Sequence, residues 1–218
     1  MLLVHECHDW AHFLFARIIC GCWGTKGFDT WTVCASCQAL PRFQPYLYFV
    51  GPLITYIIIW IGFGQLNPKN RPTKRSLGFA LVFAGIPFVR ILAAAVGGGD
   101  ETYGLRLLFQ HADGSNRHTI AITGLVLVLL LTILPLLRAF LFLPSWIQKL
   151  LLFPVFLVAP MYLDHWIMQG MNQVLAMGFL KQEFMPGVPF LMILWIFLLV
   201  EILILTRKNL LSLLDNLD

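Results

Sequence analysis

The stretch HECHDWAH places His5, Glu6, His8, Asp9 and His12 within eight residues, at the head of an apolar run. On a helix of about 3.6 residues per turn, His8, His12, His5 and Asp9 share an arc of roughly 100°, and Glu6 falls away from it. Two histidines at i and i+4 on one face form a bidentate grip for zinc. The residue directly after the first can act as general base on a water at the metal. Here those positions are His8, His12 and Asp9, an H-D-x-x-H pattern where the usual motif has Glu. Cys7 sits behind His8 and is not counted as a ligand. The plainer reading makes these histidines interfacial, bonded to headgroups or backbone, or assigns them to a haem or other cofactor. Three His and an Asp on one face favour the metal, because ionisable groups in apolar spans are costly and usually functional.

The rest of the chain is built for lipid. It is 59% hydrophobic and 12% charged, against about 45–50% and about 25% in soluble domains. Six apolar segments run over 2–23, 46–66, 76–97, 119–143, 149–178 and 187–206. Each is long enough to span, and continuous apolar runs span as helices. The expected architecture is a single all-α domain over 1–218, a polytopic bundle of about six spans and an integral, multi-pass membrane protein. No cleavable signal peptide is evident, since the opening lacks a basic stretch and is interrupted by His5 to Asp9. The net charge of +4 is spread among loops. It reads as topology information and excludes a nucleic-acid partner.

Lys69, Arg71, Lys74, Arg75, Arg138, Lys149, Arg207 and Lys208 fall on one side of a six-span arrangement, with both termini. Lys26, Arg42, Arg106, Arg117 and Lys181 fall on the other. That bias places both termini in the cytoplasm. Loop 24–45 is expected to hold a short hairpin. Four cysteines bracket it, Cys20, Cys22, Cys34 and Cys37. They read as two disulfides, a small structural metal site, or free thiols, according to compartment. The Gly-rich loop 97–118, with His111 and His118, reads as a plain connector or, less simply, a lid.

The motifs resemble those of site-2-protease-type intramembrane zinc metalloproteases. In HFLFARIICG, His12, Phe13, Leu14, Ala16, Arg17 and Gly21 match the stretch after that family's zinc box. Gly51, Pro52 and Leu53 resemble the G-P-L that starts its next helix. In APMYLDHWIMQGMNQ, Leu163 and Asp164 resemble the L-D that carries its third ligand, with His165 where the family has Gly. The resemblance covers about 70 N-terminal residues and a short stretch near 160. It implies zinc held by His8, His12 and Asp164, with an open fourth position. It implies Asp9 as general base and a transmembrane-helix protein as substrate. His5 and His165 would orient the ligands, stabilise an oxyanion or replace a ligand, with Gln169 and Asn172 behind them; in the plainer reading Asp164 only hydrogen-bonds His165, Gln169 or Asn172 in a polar seam. It also implies that the loop after the zinc helix faces the cytoplasm, opposite to the charge bias.

Asp in place of Glu shortens the base by about 1.5 Å, one carbon–carbon bond, so a catalytically inactive metal-binding scaffold of the same family is the main alternative. A membrane transporter would need polar residues through several spans, and segments four and six offer few. A di-iron desaturase would need more histidines than the six present. The sequence does not identify the substrate or the oligomeric state.

Overall fold

The computed structural model describes residues 1–38, 40, 42–109 and 117–215, with the side chains of Gln38 and of 207–215 set aside. His111 therefore lies outside the described residues. Helix α1 runs over Leu2–Cys20 and α2 over Ala35–Gln38. Then come α3 over Gln44–Gln65, α4 over Pro72–Ala84, α5 over Pro87–Ala95 and α6 over Gly99–Phe109. Helix α7 covers Arg117–Phe142 and α8 Trp146–Ala176. Strands β1 (Glu183–Met185) and β2 (Val188–Pro189) precede α9 (Phe190–Asp215).

The helices follow the six apolar segments to within a few residues at most ends. Four are long and apolar enough to cross a membrane: Gln44–Gln65, Pro72–Ala95, Arg117–Phe142 and Trp146–Ala176. Phe190–Thr206 is a shorter apolar helix. Helix α1 buries Glu6, His8, Asp9 and His12 among its own apolar residues. Helix α8 sits at the edge of the bundle. Only 6% of its most apolar stretch is buried, against 39% for α3. Its outward Leu150, Leu151, Leu163 and Trp166 form a face that lipid solvates and water does not.

Local chemistry accounts for the helix ends. Gly21, in the left-handed region at φ 72°, closes α1, as a C-terminal glycine commonly does. Ser145 starts α8 with a reciprocal capping box to Gln148, which satisfies two otherwise orphaned N–H groups. The third apolar segment is not one helix. It breaks at Gly85 and Ile86, where Ile86 adopts φ 46° and ψ 53°, and restarts at Pro87. A non-glycine residue in that region costs of order 1–3 kcal/mol and persists only where its surroundings fix it.

Helices α3 and α4 cross where Gly62 faces Gly78; a Cβ on Gly62 would lie 2.7 Å from the Gly78 carbonyl oxygen. Small residues at such a crossing let two helix backbones approach. Below it, Leu66, Phe79, Val82, Phe83, Leu136, Ala139 and Leu143 pack as one apolar cluster. A second cluster joins Phe13, Phe28, Met168, Val188, Leu191 and Met192. A third, of Ala16, Cys37 and Leu47, ties the end of α1 to the start of α3.

The loop after α1 differs from the expected hairpin. Among the described residues of 24–45 the only strand-like feature is an isolated antiparallel bridge, Lys26 to Trp31. The two-stranded hairpin lies instead at β1–β2, with Glu183 opposite Pro189 and Met185 opposite Val188. The Lys26 amide donates to the Gly187 carbonyl, so the two loops brace each other at one end of the bundle. Cys20 pairs with Cys37 and Cys22 with Cys34. Of the three readings of these cysteines, the disulfide one is the state found.

Candidate metal centre

Helical spacing puts His8 and His12 on the same face of α1, and that face meets α3. The His12 ring lies against Gly51, where any Cβ would fall well inside van der Waals contact with the imidazole. Trp31 stacks on the other side of the ring, with centroids 4.6 Å apart and planes 10° from parallel. His12 Nδ1–H donates to the Leu47 carbonyl at 2.5 Å. That bond fixes the tautomer and leaves the Nε2 lone pair free, the arrangement metal-ligating histidines use.

The third member comes from α6. Asp100 Oδ2 lies 2.9 Å from His8 Nε2 and 3.4 Å from His12 Nε2, and the two Nε2 atoms are 3.1 Å apart. Three donors bound tetrahedrally at the usual zinc distances stand about 3.3 Å from one another. The observed edges fit that triangle. His8, His12 and Asp100 are the one group of three such ligands among the described residues. Burial alone would raise the Asp100 carboxyl, but the His12 and His8 imidazoles beside it outweigh that and hold the group far below the usual carboxylate range. An anionic Asp100 is the form a cation needs.

A cavity of about 210 Å³ opens beside the triad. Its wall includes the helix break at Gly85 and Ile86, together with His5, Asp9, Thr55, Arg90 and Asp164. Arg90 reaches across from α5. Its Nη2 donates to His8 Nδ1 at 2.8 Å and to Thr55 Oγ1 at 3.0 Å, and its Nη1 to Glu101 Oε1 at 2.8 Å. Tyr56 Oη donates to the same Glu101 oxygen at 2.6 Å.

Asp164, expected as the third ligand, sits elsewhere. Its Oδ2 accepts from His5 Nδ1 at 2.6 Å, and Asp100 takes the place beside His8 and His12. The reason is topological: α6 packs along α3 beside the two histidines, while α8 meets α1 nearer its start. His5 thus pairs with Asp164 and faces Asp9 at 3.8 Å. Asp9, the expected base, lines the cavity, but its Oδ2 accepts from Lys26 Nζ at 3.0 Å. Lys26 also lies 3.7 Å from Glu6 and its side chain is fully buried. His165 and Gln169 are exposed on α8 and do not reach the triad. Asn172 does a different job, accepting from the Phe28 amide and donating to Asp29, which pins the disulfide loop. Pro52 is buried within α3 beside Gly51.

Sequence reasoning passed over Asp100, Glu101 and Arg90. A signal existed. Between Asp29 and Asp113 the only acidic residues are Asp100 and Glu101, directly after three glycines and next to an apolar segment. The 97–118 stretch is no plain connector, since its described part forms α6 and supplies a member of the triad.

The disulfide loop supplies Trp31 to His12 and Lys26 to Asp9. Changing Cys22 and Cys34 together to serine should therefore lower more than stability. Closing a loop of about 15 residues is worth about 3 kcal/mol, so the thermal midpoint falls. Metal affinity should fall as well, as titration of the folded variant would show. Unchanged affinity would mean that the loop holds its position without this disulfide.

No family model, curated protein or solved structure matches the chain.

Proposed function

We propose that the chain is a zinc-dependent intramembrane metalloprotease of the site-2-protease type, with zinc held by His8, His12 and Asp100. One observation carries the reading: three donor atoms of metal-ligand type from two helices stand within 3.4 Å of one another, near the about 3.3 Å spacing of tetrahedral zinc. The resemblance of HDWAHFLFAR and of Gly51–Pro52–Leu53 to that family supports it. The metal would supply Lewis acidity at a scissile carbonyl. The chain's residues hold the site and keep it polar. His12 is clamped between Gly51 and Trp31, and Asp9 lies on the cavity wall where a base would be wanted. The substrate would be a transmembrane helix, opened locally so that a peptide bond enters the cavity.

A second reading, a non-catalytic metal-binding scaffold, is favoured by a specific contact. Asp9 Oδ2 is occupied by the buried Lys26 ammonium, and so is not free to face a water at the metal. Purified chain loaded with zinc and mixed with a model transmembrane peptide separates the two. The protease reading expects a defined cleavage product by mass spectrometry, absent in His8→Ala and reduced at least about 100-fold in Asp9→Asn, the scale of a lost general base. Zinc-loaded chain that leaves every such peptide intact would establish the scaffold.

The structure also bears on orientation. The disulfide loop packs near the start of α3 through Cys37 and Leu47. The basic loop with Lys69, Arg71, Lys74 and Arg75 follows the far end of that helix, about 33 Å away at 1.5 Å per residue. Disulfides persist in oxidising compartments, and basic loops stay in the cytoplasm. Together they favour an orientation with 24–38 outside and 67–75 inside, against the one that the family resemblance implies. Cysteines introduced at Ser76 and Thr30 should label from opposite sides of sealed vesicles, the second from outside the cytoplasm.

A further inference from the structure

We infer that a second cavity, between α4, the end of α7 and α8, binds an anionic phospholipid, with the phosphate at Arg75 and an acyl chain among the aromatic side chains beyond it. The inference uses no part of the metal centre and stands or falls apart from it.

This cavity measures about 530 Å³, within the about 300–1,000 Å³ of small-molecule sites. Its two ends differ in chemistry. At one end stand Arg75, Ser76 and Gln148. Gln148 Oε1 accepts from the Ser145 amide in the capping box of α8, so N–H is what its side chain has left to offer a ligand. Arg75 has nothing but N–H to offer. Phe83 and Phe156 form the other end, eight residues on from Arg75 and Gln148 and so about 12 Å further along each helix. Their ring centroids are 5.6 Å apart, and Phe79 packs on the same Phe156 ring at 5.0 Å. Donors at one end and apolar rings at the other suit a molecule with an anionic head and a hydrocarbon tail.

No acid competes for the donor end. The sequence has no Asp or Glu between Asp29 and Asp100, nor between Asp113 and Asp164. Among the described residues no carboxylate lines the cavity. The loops at its mouth carry Lys69, Arg71, Lys74 and Lys149 instead. The cations of this end rest on aromatic rings: Arg75 on Phe142, Arg138 on Phe63 and Lys149 on Phe140. A ring supplies no counter-charge, and a phosphate does. Membrane helices fit this end poorly, because they bring Lys and Arg of their own to the face where this chain has its basic loop. Basic pockets between helices at such a face are matched by anionic lipid headgroups. Leu152 and Phe156, on the α8 wall, are exposed, so that wall is open to lipid.

The test uses full-length chain purified in an uncharged detergent, with lipid binding read by native mass spectrometry. Dioleoyl phosphatidylglycerol and dioleoyl phosphatidylcholine share their acyl chains and differ in net charge. The first should bind at least about tenfold more tightly, the scale of a charge-assisted hydrogen bond. In Arg75→Gln that preference should vanish. Arg71→Gln, at an exposed residue outside the cavity lining, should keep it. Ala80 is an exposed residue of the cavity wall. Ala80→Trp puts an indole into the groove and should weaken both lipids, which decides the matter if Arg75→Gln does not fold. Equal binding of the two lipids by the wild type overturns the inference. So does an equal loss of preference in Arg71→Gln and Arg75→Gln, the mark of a diffuse basic surface. Unchanged binding in Ala80→Trp puts the lipid elsewhere and overturns the site. Oleate bound as tightly as phosphatidylglycerol overturns the phospholipid assignment. An uncharged transmembrane peptide that displaces phosphatidylglycerol at equal concentration gives the groove to protein and overturns it too.

Discussion

Asp100→Ala is expected to remove bound metal from the purified chain, while Asp164→Ala leaves metal content near that of the wild type. The two substitutions delete the same group from positions that the sequence and the structure rank oppositely. Asp100 Oδ2 lies within 3.4 Å of both imidazole nitrogens, so its removal leaves a two-histidine grip open to solvent. The loss should exceed the about 10–100-fold that follows from deleting a residue behind a ligand. Asp164 touches His5 and no member of the triad. Its loss takes from His5 its closest partner and leaves it only the more distant Asp9, at 3.8 Å, and costs stability before affinity. Metal per chain by mass spectrometry, with a competition titration for affinity, reads both. If metal goes with Asp164 and stays without Asp100, the proposed ligand set is wrong.

Gly51→Ala should be as damaging, through a single methyl group. In an exposed helix this change would add about 1 kcal/mol of stability, because alanine is the better helix former. Here the added carbon would collide with the His12 imidazole. The ring cannot swing aside, since Trp31 stacks on it and Leu47 holds its Nδ1. Either the ring leaves its tautomer-fixing bond or α1 moves off α3. Both outcomes separate His12 from His8 and Asp100. The expected signature is loss of metal with helix content by circular dichroism unchanged. Gly64→Ala, on the same helix with nothing within 4 Å of its would-be Cβ, is the matched control and should bind metal normally. Normal metal binding by Gly51→Ala would show that α1 and α3 are less tightly coupled than their packing indicates.

These two residues show what the sequence could and could not tell. The apolar segments were legible because continuous hydrophobic runs of that length admit little but helix, and the positions of His8 and His12 followed from helical spacing alone. Gly51 was legible only as part of a three-residue match. Its steric reason, an imidazole from another helix, is tertiary. Asp100 was hidden by its setting. Three glycines and several polar residues read as a connector, while a short helix there packs back along α3. Asp164 attracted attention because an aspartate in an apolar run needs a partner. It has one, but the partner is a histidine one turn before the expected pair. The break at Ile86 gave no signal beyond Gly85 and Pro87, because local composition does not say which residue will accept a left-handed backbone.

That break has a hydraulic consequence. A helix interrupted halfway along a membrane-length segment exposes the first N–H groups of α5, which have no partners within the helix, and lipid cannot satisfy them. Gly85, Ile86, Val89 and Arg90, at and just after the break, line the cavity beside the candidate metal centre. Lipid leaves such groups unpaired, whereas a cavity of about 210 Å³ has room for water beside them. Lys26 and Trp31, carried in by the loop that two disulfides close, pack on Asp9 and His12. The broken helix thus sets its unpaired donors beside a polar hollow, so that the cost of the break falls where water can meet it.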